Sequence, residues 1–290
     1  MKVLMATDGS KNATAALRSA CHILSREDRN VDIMCVAPSP RGDNHVNPDR
    51  LRRRAARILD SARTKLAAEG VSARPVVRTG SPAGVLIVAS QEYDVTVVAA
   101  ESHGNGWVGL GPVATRVAEH ANTTVLVARQ DCRDSGVRVL AAVDGTDRSL
   151  RALDTMTSLL DLSEADVTLV HVIEIPWMHA GPDQEWIGYE EETEERIDPQ
   201  AQCQRGCEYD AEGILEKARE RLPARTAVST LVYRGLPADE ILSEAATGDY
   251  DLVMMSASGL TDLKHQILGS VSSKVAFNAP CSVLLVRSAN

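Results

Sequence analysis

The sequence predicts an α/β fold made of two tandem, doubly wound, Rossmann-like domains, each with a five-stranded parallel sheet. Three observations lead there. Hydrophobic residues make up 44% of the 290 residues but aromatics only 3%. The apolar set is therefore mainly Val, Leu, Ala and Ile, the composition of buried parallel strands covered by Ala-rich helices. A chain of this length also exceeds what one hydrophobic core fills efficiently and suits two. Finally, the sequence repeats itself, and within each copy strand-like runs alternate with helix-like ones.

Three anchors carry the repeat. Val3-Leu4-Met5-Ala6-Thr7-Asp8-Gly9-Ser10 returns as Val139-Leu140-Ala141-Ala142-Val143-Asp144-Gly145-Thr146, at an offset of 136. Arg78-Thr79-Gly80-Ser81-Pro82-Ala83 returns as Tyr233-Arg234-Gly235-Leu236-Pro237-Ala238, at an offset of 155. Gly111-Pro112-Val113 returns as Gly269-Ser270-Val271, at an offset of 158. The boundaries read as 1–131 and 136–290, with a short polar linker from Gln130 to Gly136 between them. The drift in offset places most of the extra length of the second copy in a segment of about 176–206, acidic through Glu190-Glu191-Glu192 and Glu194-Glu195. Such an insert is expected at the surface, with Trp177 and Trp186 docking part of it.

In chain order, each copy opens on an apolar strand that ends in an Asp-Gly turn, followed by a helix (Ala13 to Leu24; Ser149 to Leu160). A second strand comes next (Val31 to Val36; Val167 to Ile173), then a second helix and a third strand (Ala73 to Val77; Ala227 to Tyr233). A Gly-x-Pro-Ala turn leads into the third helix and a fourth strand (Val95 to Ala100; Leu252 to Ser256). A glycine-containing loop, a last helix and a last strand (Thr124 to Ala128; Ser282 to Val286) complete the copy. Strands and helices alternating at this spacing form right-handed βαβ units. The last strands are short apolar edges, and each is the nearest available cover for the other.

The net charge of −9 is unevenly spread: residues 1–133 sum to +5 and residues 134–290 to −14. Arg50, Arg52, Arg53, Arg54 and Arg57 make the first half basic. With no aromatic interleaved and an acidic protein overall, they read as a solvated helix face, and no nucleic-acid partner is expected. The N-terminus runs straight into a strand without an export signal, and no apolar run approaches the roughly 18 residues that span a bilayer. A cytoplasmic protein with no membrane partner is expected. Six scattered cysteines form no disulfide framework and are expected to be reduced.

The chemistry concentrates after the fourth strand of the second copy. Ser256, Ala257, Ser258 and Gly259 are followed nine residues later by Gly269-Ser270, which opens a helix. Glycine admits close backbone approach, a helix N-terminus presents N–H groups and a positive dipole end, and serine hydroxyls add donors, a combination suited to phosphate. In a doubly wound sheet this loop and the strand-ending Asp144 meet at one crevice beyond the carboxyl ends of the strands. Lys264 and His265, inside the loop, are within reach of a triphosphate. His171, His179, Cys203 and Cys207 fit no compact zinc spacing, and no metal site is expected. No Gly-x4-Gly-Lys-Ser/Thr loop, nucleophile elbow or paired catalytic carboxylates occur, so fast phosphoryl transfer is not expected.

Asp-Gly-Ser/Thr, Gly-x-Pro-Ala and the glycine loop, in this order in both copies, resemble the universal stress protein family. That family belongs to the adenine-nucleotide α-hydrolase-like group, and its nucleotide-binding members carry Gly-x2-Gly-x9-Gly-Ser/Thr after the fourth strand. The resemblance covers nearly the whole chain outside the insert. It implies ATP or a related adenine nucleotide, with Mg as a companion ion, and a stress-response sensor or regulator with at most slow ATP hydrolysis. It also implies domains paired through their last strands, a homodimer, and a regulatory protein partner. By the same resemblance Ala142, Asp144, Val172 and Met255 would hold the base and ribose, and Ser256, Gly259, Gly269, Ser270 and Val271 the phosphates. Ser256 departs from the motif, which has glycine there, and a positive φ at serine would be strained. In the first copy Glu101 stands at the first glycine position, the loop from Gly104 to Gly111 is three residues shorter, and Pro112 replaces the Ser/Thr. That copy reads as degenerate. A nucleotide-free interaction protein and an ATP-using enzyme of the wider superfamily are the alternative readings.

Overall fold

The computed structural model describes residues 1–39, 47–102, 108–129, 136–174, 210–257 and 268–287. The insert at about 176–206, with Trp177, Trp186, His179, Cys203 and Cys207, lies outside them.

The first half runs β1 (Lys2–Ala6), α1 (Lys11–Ile23), β2 (Asn30–Pro38), α2 (Pro48–Ala68), β3 (Ala73–Gly80), α3 (Pro82–Ser90) and β4 (Val95–Ala99). A two-stranded hairpin, β5 (Glu101–Ser102) and β6 (Val108–Gly109), precedes α4 (Pro112–His120) and β7 (Thr124–Ala128). The second half repeats this as β8 (Arg138–Ala142), α5 (Asp147–Leu159), β9 (Asp166–Glu174), α6 (described over 210–219) and β10 (Ala227–Gly235). It ends with α7 (Pro237–Thr247), β11 (Leu252–Ser256), α8 (Ser270–Asn278) and β12 (Ser282–Val286).

Helices α1 and α5 begin two residues before the apolar pattern does, because their starts are set by capping chemistry. Ser10 Oγ accepts from Ala13 N at 3.1 Å, and Thr146 Oγ1 from Ser149 N at 3.2 Å. Both helices follow a glycine with positive φ, Gly9 at 81° and Gly145 at 80°. A Cβ at either would lie 2.8 Å from Ile58 Cγ1 or 2.7 Å from Ile214 Cδ1, so conformation and space both demand glycine. The arginines of α2 are exposed, with Ala55, Leu59, Ala62 and Leu66 as its buried stripe.

Within each half the strands are parallel and ordered 3-2-1-4-5. The two halves join edge to edge in one ten-stranded sheet, β3-β2-β1-β4-β7-β12-β11-β8-β9-β10. The joint is the antiparallel pair β7–β12, with Val127, Leu126 and Val125 opposite Val283, Leu284 and Leu285, none of them solvent-exposed. Leu126 and Leu284 are repeat equivalents that face each other, as are Leu24 and Leu160, which form an isolated bridge. Equivalent residues pair in this way only on a pseudo-twofold axis. Because the sheet is continuous, each of its two cores extends through both halves. One core is covered by α1, α2, α5 and α6, the other by α3, α4, α7 and α8.

Two arginines seal the joint. Arg129, 5% exposed, donates from Nη2 to Ala276 O at 2.7 Å and from Nη1 to Cys281 O at 3.1 Å, at the C-terminal end of α8. Its backbone N–H donates to Ser282 Oγ and its carbonyl accepts from Ser19 Oγ, so it binds both halves. Arg287, its repeat equivalent, donates from Nη2 to Ala118 O and Glu119 O at the end of α4. Each arginine thus places a cation at the negative end of the helix of the other half. Burial lowers the Arg129 pKa to about 10, which still leaves it charged at neutral pH.

Two stability predictions follow from these contacts. Arg129→Ala leaves two carbonyls of the joint without their donor. It should cost about 3 kcal/mol in urea unfolding, the scale of one or two hydrogen bonds from a charged donor. Arg129→Lys should recover part of that loss. At the outer edge, Asp32 accepts from Arg74 Nε at 2.8 Å and from Tyr93 Oη at 2.6 Å. The Arg74 hydrogen bond, assisted by that of Tyr93, holds the Asp32 carboxyl below its ordinary range despite its burial. A depressed folded pKa stabilises above the unfolded value, near 4, and that contribution is lost as pH falls through the folded value. Asp32→Asn should therefore lower the melting temperature at pH 7 and change it far less at pH 3.

Candidate functional site

At the carboxyl ends of β8, β9 and β11 a cavity of about 470 Å³ opens between α5, α7 and α8, within the size range of small-molecule sites. Ala142, Asp144, Val172, Met255, Ser256, Gly269, Ser270 and Val271 all line it. The strand order reverses between β8 and β11, so the cavity sits at the topological switch point. Gly259, with Ser258, Lys264 and His265, lies outside the described residues.

One side of the cavity is built by the Asp-Gly turn. Asp144 Oδ1 accepts from Thr146 N at 3.0 Å and Thr146 Oγ1 at 2.6 Å, a turn that holds the half-buried carboxylate on the cavity wall. Val172, Ile241, Pro237 and Met255 form an apolar wall, to which β9, α7 and β11 each contribute. Apolar walls around a few convergent polar groups suit a planar heterocycle carrying a polar tail.

The opposite side is the first turn of α8. Gly269 is its N-cap and has no side chain to satisfy the N–H groups of Ser270, Val271 and Ser272. The N–H groups of this first turn come before the helix's own hydrogen-bond ladder, and with the positive helix end behind them they line the cavity, an arrangement that accepts an anion. The N–H of Gly269 itself donates to Ala257 O at 2.9 Å, so it anchors the helix start and is spent. Ser272 Oγ makes a second strap, to Ala257 O at 2.7 Å. The N–H of Gly269 thus bonds within the chain, and the N–H groups of the first helical turn begin with the residue after it. The strain foreseen at Ser256 does not arise. Ser256 is the last residue of β11, and among the described non-glycine residues only Asp28 and Asp249 have positive φ.

Sequence reasoning missed Glu174 and Asp210 as lining residues and placed His171 in a rejected zinc set. Glu174 ends β9 and was legible from the strand's length. Asp210 arrives from α6, across the insert, and no local pattern announces it. His171 Nδ1 lies 2.8 Å from Val143 O, which orients the ring against β8. Among the described residues no group of three or more His, Cys, Asp or Glu is arranged to hold a metal ion.

The first half has its own cavity, about 590 Å³, lined by Asp8, Ser10, Met34, Val36, Leu86, Ala99, Pro112 and Ala114 among others. Strand register fixes the correspondence between halves. Ala99 pairs with Ala128 as Ser256 pairs with Val286. The counterpart of Ser256 is thus Ala99, not Glu101, whose backbone instead enters the β5–β6 hairpin. Measured from these strand ends, the connection from Ala99 to Gly111 is one residue shorter than that from Ser256 to Gly269, although the glycine-to-glycine spacing within it is three shorter. His103 and Gly104 lie outside the described residues. Pro112, Val113 and Ala114 stand where Ser270, Val271 and Ser272 do.

Both halves match known proteins. The sequence profile of the universal stress protein family matches residues 1–129 and again 137–287. The chain is 28% identical over 300 residues to a universal stress protein of Mycolicibacterium smegmatis, an alignment covering 98% of this chain and 96% of that one. It is 30% identical over 151 residues to the universal stress protein YxiE of Bacillus subtilis, covering 52% of this chain and 98% of that one. The structure of a universal stress protein from Archaeoglobus fulgidus superposes with a TM-score of 0.69 over 99% of this chain and 98% of that one, at 19% identity, a likeness of fold. With two profile matches in succession and a relative that spans its full length, the chain belongs to the universal stress protein family as a tandem, two-domain member.

Proposed function

We propose that the second-half cavity binds ATP or a related adenine nucleotide and that the chain works as a nucleotide-responsive regulator of the stress response. One observation carries the reading. The first turn of α8, whose N–H groups have no capping side chain, lines one cavity with the carboxylate of Asp144 and an apolar wall. A base lies against Val172, Met255 and Ile241, ribose hydroxyls donate to Asp144, and phosphates take the α8 amides with the hydroxyls of Ser256 and Ser270. Asp144, Glu174 and Asp210 also line the cavity, and no lysine or arginine does so among the described residues. A triphosphate entering it therefore gains from Mg as a counterion. The residues supply binding and orientation; none of those described is placed as a general base or nucleophile toward a phosphate.

In the first half the hydroxyl of Ser256 becomes Ala99, and the N–H and hydroxyl of Ser270 are both lost at Pro112. Calorimetric titration with Mg·ATP should therefore give one site per chain, and two equivalent sites would refute the asymmetry. Ser270→Pro copies the first half at the start of α8. It should weaken ATP binding at least tenfold, since one hydrogen bond to a charged group is worth about 1.5–3 kcal/mol. It should leave the melting temperature of the ligand-free chain nearly unchanged, because proline suits the first helical position. Unchanged ATP affinity in the folded variant would remove α8 from the site.

A further inference from the structure

We propose that the first-half cavity is a second ligand site, selective for an unphosphorylated nucleoside. The argument is a comparison of two cavities built on the same strands. What holds a base and a sugar is kept. Asp8 ends the first strand with the same turn as Asp144, its Oδ1 accepting from Ser10 N at 2.8 Å, and Gly9 has the same positive φ as Gly145. The cavity has stayed open at about 590 Å³ with apolar walls. Leu86 stands where Ile241 does and Val36 where Val172 does.

Most of what would hold a phosphate in the second cavity is missing from the described lining of the first. Each of the four serines that line the second cavity has lost its hydroxyl in the first: Ser149 is Ala13, Ser256 is Ala99, Ser270 is Pro112 and Ser272 is Ala114. Pro112 also removes the first amide of the helix. No lysine or arginine replaces these donors among the described lining residues. An anionic tail brought against Ala99, Pro112 and Ala114 would meet two helix amides in place of three and none of those four hydroxyls, so less of its lost hydration is made good, whereas a nucleoside brings no such charge. Its base meets the apolar wall and its hydroxyls donate to Asp8. A cavity collapsed or filled by larger side chains would have signified simple loss of function; this one stays open and has exchanged its anion-binding lip.

The choice of adenosine as probe rests on the adenine reading of the second cavity; the exclusion of phosphate does not. Photolabelling of the unmodified full-length chain with 8-azidoadenosine, followed by peptide mapping, should place label within 82–114 as well as within the second half. Excess adenosine should compete the first-half label away, and equal ATP should do so at least tenfold less effectively. Calorimetry on Asp144→Ala should still show adenosine binding, and adding Asp8→Ala should weaken it at least tenfold. Label confined to the second half overturns the proposal, as does ATP competing as well as adenosine for the first-half label. Failure of ATP to bind the unmodified chain would instead overturn the second-cavity reading alone.

Discussion

The antiparallel pairing of β7 with β12 is the constraint on which the rest of the molecule depends. Either half alone would expose an apolar edge whose strand is buried at every residue, Thr124–Ala128 in one and Ser282–Val286 in the other. Such an edge invites pairing with any available strand. Here each edge satisfies the other, and two five-stranded sheets become one with cores shared across the joint. Arg129 and Arg287 extend the pairing beyond the strands by holding the last helix of the opposite half at its carbonyl end. The cost of burying Arg129 is offset because its cation lies among helix C-terminal carbonyls, where the dipole favours it.

Antiparallel joining also decides where ligands can go. The carboxyl ends of the strands in one half point opposite to those in the other, so the two switch-point cavities open at opposite ends of the sheet. Neither cavity borrows a lining residue from the other half. Their chemistry is separable even though their cores are not. A physical link does exist, because the β6 strand of the first half packs on α8, the helix whose start lines the second cavity.

The fold was legible in the sequence because its determinants repeat. Asp-Gly turns, Gly-x-Pro-Ala turns and apolar strands recur in register, and two copies of a weak signal identify each other. The edge pairing was legible for a similar reason, since Val125–Val127 and Val283–Leu285 are apolar on both faces and had to be covered. The details of the site were less accessible. Counting back from glycine placed Glu101 opposite Ser256, while the hydrogen-bond ladder placed Ala99 there. The first-half loop had absorbed its difference in a hairpin that spacing alone does not reveal. Gly269 was seen to belong to the cavity, but whether its N–H faced a ligand or Ala257 O depended on the path of the chain. Residues delivered by the strand ends could be read, whereas Asp210, carried in by α6 from beyond the insert, could not.

These successes and failures share a cause, which also explains how two such similar halves can differ in chemistry. The fold is fixed by strand interiors, by the two glycines wedged under Ile58 and Ile214, and by the joint, all places where a substitution costs packing. The serine-bearing lip of the second cavity lies at a strand end and on the first turn of a helix, where residues line the cavity and backbone donors precede the helix's own ladder. There the strap of Ser272 to Ala257 O shows one of these serines with a structural role of its own. Ala114 does without that strap, and there the approach to α4 runs through the β5–β6 hairpin, a second way of ordering the same connection. The lip is therefore free to change while Asp8 and Asp144 keep their turns, and a duplicated domain can alter the hydrogen-bond donors around its cavity without altering its fold.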